Sequence, residues 1–201
     1  APGRTSTRNV QRGPSDEILI IDVERNRQVG RIKPEVHGIT TPSWSPDGNS
    51  LVFTGYSGGI SDLWVVGRDG QNLRRLTNDK YADFHPVWSP DGRSIAFSTD
   101  RGESTDFETL QFGNWRIATY DLDMSTVRVL DQMESGRNVS PQWAPDGASL
   151  AFVSDRNGVA NLFLYELASN EIYQLTDFYT GIQGITGLSP VLSWAPDADR
   201  I

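Results

Sequence analysis

One phrase recurs along the chain and constrains what it can become. Pro-x-Trp-Ser/Ala-Pro-Asp-Gly occupies residues 42–48, 86–92 and 141–147, with a worn remnant at 193–198. Its tryptophans, Trp44, Trp88, Trp143 and Trp194, lie 44, 55 and 51 positions apart. Self-similarity at such a period takes precedence over local readings, because each repeat is one supersecondary unit that must stack on its neighbours to bury a core. A unit of roughly 40–50 residues made only of short strands points to a blade of a β-propeller.

Within each unit the same events follow in order. The phrase opens a first strand that ends at a Pro-Asp-Gly turn, where Pro presets φ, Asp bonds back to the backbone and Gly accepts the left-handed position. Second strands are predicted at 50–54, 94–98 and 149–153, third strands at 63–66, 115–120 and 162–165, and fourth strands at 73–77, 126–130 and 172–176. Four strands per period make one meandering antiparallel blade. Residues 1–15, rich in Arg, Ser, Gly and Pro, read as a flexible lead-in. The chain then divides into a partial blade over 16–40, whole blades over 41–84, 85–139 and 140–188, and a partial blade over 189–201. The fold class is all-β, a propeller of about four blades' worth of strands. Either the two partial pieces combine into one blade that closes a ring, or the chain is an arc of a larger propeller. The arc is the favoured expectation, because the chain stops inside an expected strand.

At this point the residues resemble a known family. Trp-Ser-Pro-Asp-Gly-x-Ser-Ile/Leu-Ala/Val-Phe, then Asp155-Arg156-Asn157-Gly158 and Leu175-Thr176, with Arg68-Asp69-Gly70 and Leu76-Thr77 in the first whole blade, resembles the TolB-like, WD40-like (PD40) propeller repeat. The resemblance runs over about residues 17–201. It implies an extracytoplasmic bacterial scaffold, since family members include periplasmic partners of peptidoglycan-associated lipoproteins and non-catalytic propellers of large peptidases. The repeat serves many proteins, so it implies a fold more than an activity.

Composition removes several classes of function. A formal net charge of −8 argues against a nucleic-acid partner, which needs a basic footprint, and no polybasic cluster suits an anionic membrane. With no cysteine there is no disulfide, thiolate metal site or thiol nucleophile. No apolar run reaches the roughly 18 residues of a membrane-spanning helix.

The candidate sites divide into what repeats and what does not. Asp47, Asp91, Asp146 and Asp197 recur with the phrase, and repeated residues build the unit, so each is expected to hold its own turn while each Trp wedges between blades. Gly55-Tyr56-Ser57-Gly58-Gly59 matches the Gly-x-Ser-x-Gly pattern of serine hydrolases, but that motif needs a strand-to-helix elbow, and here it lies between two strands. His37 and His85, the only histidines, fall on connections between blades and make a thin metal site. No cofactor or metal is expected.

The interruptions are more informative. The second blade carries an insertion over 101–114, with acids Glu103, Asp106 and Glu108 and apolar anchors Phe107, Leu110 and Phe112. A long connection follows the third blade over 177–188. With Tyr81, Phe84 and His85 on an earlier connection, these crowd aromatics onto one rim, the material of interfaces. The expected partner-binding residues are Tyr81, Phe84, His85, Phe107, Phe112, Arg137, Asn138, Phe178 and Tyr179. The expected function is a non-catalytic protein–protein scaffold in the bacterial periplasm or outside the cell. Its partner would be another protein, such as a membrane-anchored or lipoprotein component of an envelope complex. The competing reading is an accessory propeller domain of a larger peptidase or other multidomain enzyme. A third is a lectin-like ligand or metal pocket in the channel.

Overall fold

The computed structural model describes residues 16–187 and 190–195. A two-stranded sheet comes first, β1 (Ile18–Asp22) with β2 (Arg27–Ile32). Three four-stranded antiparallel sheets follow, each in simple chain order. The first is β3 (His37–Trp44), β4 (Ser50–Ser57), β5 (Ile60–Gly67) and β6 (Arg74–Arg75). The second is β7 (Asp83–Trp88), β8 (Ser94–Thr99), β9 (Arg116–Asp121) and β10 (Thr126–Val129). The third is β11 (Asn138–Trp143), β12 (Ser149–Ser154), β13 (Asn161–Glu166) and β14 (Glu171–Gln174). The innermost strands β3, β7 and β11 touch one another in succession, as blades around a common axis must.

The second-strand signature Leu/Ile-Val/Ala-Phe explains the stacking. Side chains alternate faces along a strand. Leu51 and Phe53 of β4 therefore pack against Ile18, Ile20 and Ile32 of the two-stranded sheet. Val52 between them points the other way, to Ile95 and Phe97 of β8. The pattern repeats one blade on, where Ala96 joins Leu150 and Phe152 of β12. Larger residues face the preceding blade and smaller ones the next, so both faces of β4, β8 and β12 are buried.

The turns obey the phrase. In the second blade the Ser89 hydroxyl donates to Asp91 at 2.6 Å, the amide of Arg93 donates to the same carboxylate at 3.0 Å, and the Gly92 amide closes on the Ser89 carbonyl at 2.9 Å. The first blade repeats this through Ser45, Asp47 and Gly48. In the third, Ala144 has no hydroxyl and Asp146 keeps only the Ala148 amide. These serine hydroxyls, with the turn amides, hold the Asp47 and Asp91 carboxyls below their ordinary range. Gly92 sits at φ +72, with space for a Cβ 3.8 Å from Pro46. Gly92→Ala is therefore expected to cost about 1–2 kcal/mol from backbone strain alone. A lower urea midpoint with an unchanged m-value would show it.

Three details differ from the sequence-based expectation. The innermost strands begin at His37, Asp83 and Asn138, so the phrase closes the first strand of each sheet and does not open it. The cause is a β-bulge ahead of each phrase, where the pre-proline residues Thr41, His85 and Ser140 take φ of 50–55°. The fourth strand of the first blade shrinks to two residues, as suits a solvent-facing edge. Finally, residues 190–195 carry no strand, and Asp197 lies outside the described residues.

Candidate functional site

Strand direction fixes which loops share a rim. The starts of the first and third strands and the ends of the second and fourth lie on one side. Hence the insertion 101–114 and the connections 76–82, 130–137 and 175–187 converge there.

The insertion builds itself upon a buried ion pair. Arg101 follows β8 and reaches back to Asp83 at the start of β7, with Nη1 and Nη2 on the two carboxylate oxygens. It also donates to Thr99 Oγ1 at 2.7 Å and to Asp79 at 2.7 Å, and lies over the rings of Phe97 and Tyr81. Asp83 is fully buried, and burial pushes its carboxyl up to about 6 despite the guanidinium. The third blade repeats the device without the second charge. There Arg156 donates to Asn138 Oδ1 at 3.0 Å and lies over Phe152 and Phe163. The first blade has Ile39 and Ser57 at these places and no such clamp.

Above Arg101 the insertion closes into a small finger. Asp106 and Gln111 exchange backbone hydrogen bonds at 2.7 and 2.9 Å, leaving 107–110 as the tip. Tyr81 meets Phe107 edge-on with centroids 5.5 Å apart, and Phe107 meets Phe112 at 6.1 Å. Lys80 Nζ rests 4.6 Å from the Phe107 centroid. Phe84 belongs to a different group, with Tyr56, Trp115 and His85.

His85 is buried and internally committed. Its Nε2 lies 2.8 Å from the Thr186 carbonyl, so this nitrogen carries the proton, and Nδ1 accepts from the Ser98 hydroxyl at 3.3 Å. Ser98 in turn accepts the Ser140 amide of the next blade. Burial first, with Arg137 nearby, lowers the histidine's basicity, while the Thr186 contact opposes them. His85 thereby ties the 177–187 connection across to the second blade.

The expected surface residues accordingly separate. Phe112, Arg137, Phe178 and Tyr179 are exposed, Tyr179 at 97%, while Tyr81, Phe84 and Phe107 are half-buried. His85 and Asn138 are corrections. Asn138 is fully buried, its amide nitrogen feeding the carbonyls of Met133 and Trp115 and its oxygen accepting from Ser154 and Arg156. Neither side chain offers a partner anything. The Arg101 and Arg156 clamps, Tyr56 and Trp115 are not among the sequence-derived candidates. An Asp-Arg just after the second strand, paired with an acid or amide two residues ahead of the same blade's His85 or Ser140, was the available signal.

The Gly-x-Ser-x-Gly run forms a hairpin, with Gly58 and Gly59 at φ +63 and +89 between β4 and β5. Among the described residues no three His, Asp or Glu side chains group to hold a metal ion. No helix among them is long and apolar enough to cross a membrane.

The family model of the TolB beta propeller domain matches residues 11–112. The chain belongs to the TolB β-propeller family. An uncharacterized protein of Agrobacterium fabrum is 31% identical over 119 residues, covering 56% of this chain and 38% of that protein. The uncharacterized peptidase YuxL of Bacillus subtilis is 38% identical over 66 residues, 32% of this chain and 9% of the peptidase. Among solved structures, TolB from Acinetobacter baumannii superposes with a TM-score of 0.68 at 20% identity, over 82% of this chain and 38% of that one. A puromycin-hydrolyzing peptidase of Mycobacterium tuberculosis gives 0.57 at 17% identity, over 86% and 30%. At such identities the likenesses to solved structures show the fold alone. The chain spans less than two fifths of the length of these relatives.

Proposed function

We propose that this chain is a protein-docking scaffold of the bacterial periplasm or cell exterior, engaging its partner through the rim that carries the finger and the 177–187 connection. The observation that carries the reading is a set of large apolar side chains held exposed on one rim. Phe112, Phe178 and Tyr179 stand 53–97% exposed on loops held by part-buried hydrogen bonds, from the Gly113 amide to Thr105 within the finger and from the Phe178 amide to Asn161 of the third blade. Large apolar side chains held out on a rigid frame are interface material. A partner in an envelope complex agrees with the likeness to TolB, a component of the Tol-Pal system in Anaeromyxobacter dehalogenans by its name.

A second reading has its own support. The chain is similar to YuxL in sequence and to the puromycin-hydrolyzing peptidase in fold, and on this reading the same rim faces a catalytic unit of one polypeptide. Photo-crosslinking in cells separates the two. A benzoylphenylalanine placed at Tyr179 is expected to yield an adduct with another protein, whereas one at Met124, exposed on the opposite rim, is not. Adducts within the protein's own polypeptide would favour the peptidase reading. Adducts from Met124 alone would overturn the rim assignment.

A further inference from the structure

The finger over 101–114 shows more than general stickiness, and its features select a partner. Leu110 is 71% exposed and sits at φ 55, a left-handed conformation that a bulky side chain rarely adopts. That conformation closes the tip onto Gln111, which pairs with Asp106, and it leaves the Leu110 side chain in water. At the same finger Tyr81, Phe107 and Phe112 form a row of successive edge contacts. Two of them already hold cations: Lys80 over Phe107 and Tyr81, and Arg101 over Tyr81. Phe112, 62% exposed, completes the row, and among the described residues no cation rests on it.

The electrostatics agree. Residues 103–114 contain Glu103, Asp106 and Glu108 and not one basic residue. Asp106 is spent on the amides of Glu108 and Thr109 within the finger. Glu103 and Glu108 are exposed, and among the described residues neither forms an ion pair. An anionic membrane surface would be repelled, and a purely apolar partner would leave both carboxylates unused. A segment with Lys or Arg beside an apolar anchor uses every element: its cation on the Phe112 face and near the carboxylates, its apolar side chain on Leu110.

We infer that the finger docks a basic, amphipathic segment of a partner protein, with Phe112 and Leu110 as the contact pair and Glu103 and Glu108 setting the charge preference. This rests on the rim reading above and adds the chemistry of the partner.

The test is an amide NMR titration of the full chain with two capped pentapeptides, Lys-Leu-Lys-Leu-Lys and Glu-Leu-Glu-Leu-Glu. The basic peptide is expected to shift the amides of residues 107–112 saturably and to bind at least tenfold more tightly than the acidic one. Phe112→Ala with Leu110→Ser should abolish those shifts while leaving the melting temperature within about 2 °C. Glu103→Lys with Glu108→Lys should invert the preference. Equal binding of both peptides, shifts confined to other loops, or a sharp fall in melting temperature in the Phe112/Leu110 variant would each overturn the inference. Failure of these titrations alongside intermolecular adducts at Tyr179 would discard the finger's chemistry and leave the rim reading standing.

Discussion

Arg101→Ala is expected to destabilise the protein by about 3–5 kcal/mol at pH 7.5, the cost of stranding a buried carboxylate. Asp83 is fully buried, and Arg101 supplies both of its charge-assisted hydrogen bonds. At roughly 2–4 °C per kcal/mol for a chain of this size, the melting temperature should fall by about 10 °C. The loss should also depend on pH. In the wild type the folded carboxyl titrates at about 6, above its unfolded value of 3.8. Its contribution is therefore fully present below pH 4 and is lost as pH rises through 6. Removing the guanidinium leaves burial unopposed and moves that titration higher still. The gap between variant and wild type should therefore narrow from pH 8 to pH 5.

The third blade supplies the control. Asn138 does for Arg156 what Asp83 does for Arg101, without a second charge. Asp83→Asn should therefore cost only about 1 kcal/mol, because Arg101 keeps Asp79, Thr99 and an amide oxygen as partners. Its stability should lose the pH step between 4 and 6. Equal damage from Arg101→Ala and Asp83→Asn would mean that the clamp depends on the full charge pair and that an amide cannot stand in for the carboxylate.

What could be read from the sequence follows from what repeats. The turn chemistry of Ser89, Asp91 and Gly92 and the alternating faces of Ile95, Ala96 and Phe97 are local, so three copies in register announce the blade. The bulges at Thr41, His85 and Ser140 were not legible, because a left-handed residue before proline is imposed by the tertiary packing of the innermost strand. For the same reason His85 and Asn138 looked like rim residues. Their positions at the start of the first strand were right for the rim, but the bulge and the clamp turn them inward. The finger was visible as an insertion. That Tyr81, from an earlier connection, meets Phe107 edge-on could come only from the fold.

The repeated tryptophans test how far identical sequence means identical energy. Trp88→Ala is expected to cost about 3 kcal/mol, the low end for an aromatic truncation, since the ring packs half-buried on the Val52, Leu63, Phe97 and Tyr120 cluster. It stays at the low end because the indole N–H is buried with no hydrogen-bond acceptor among the described residues, so the truncation also removes an unsatisfied donor. Trp88→Phe, which keeps the ring and sheds that donor, should lose less than about 1.5 kcal/mol. Trp44 occupies the same place in its phrase yet is 42% exposed, because among the described residues two strands stand where a whole blade covers its counterparts, and Arg68 lies over its open ring. Trp44→Ala should therefore cost only about 1 kcal/mol. Chemical denaturation of the variants side by side gives the order directly. Equal losses at Trp44 and Trp88 would mean that the tryptophan acts within its own turn, and that the contact between blades is not what the phrase is built to make.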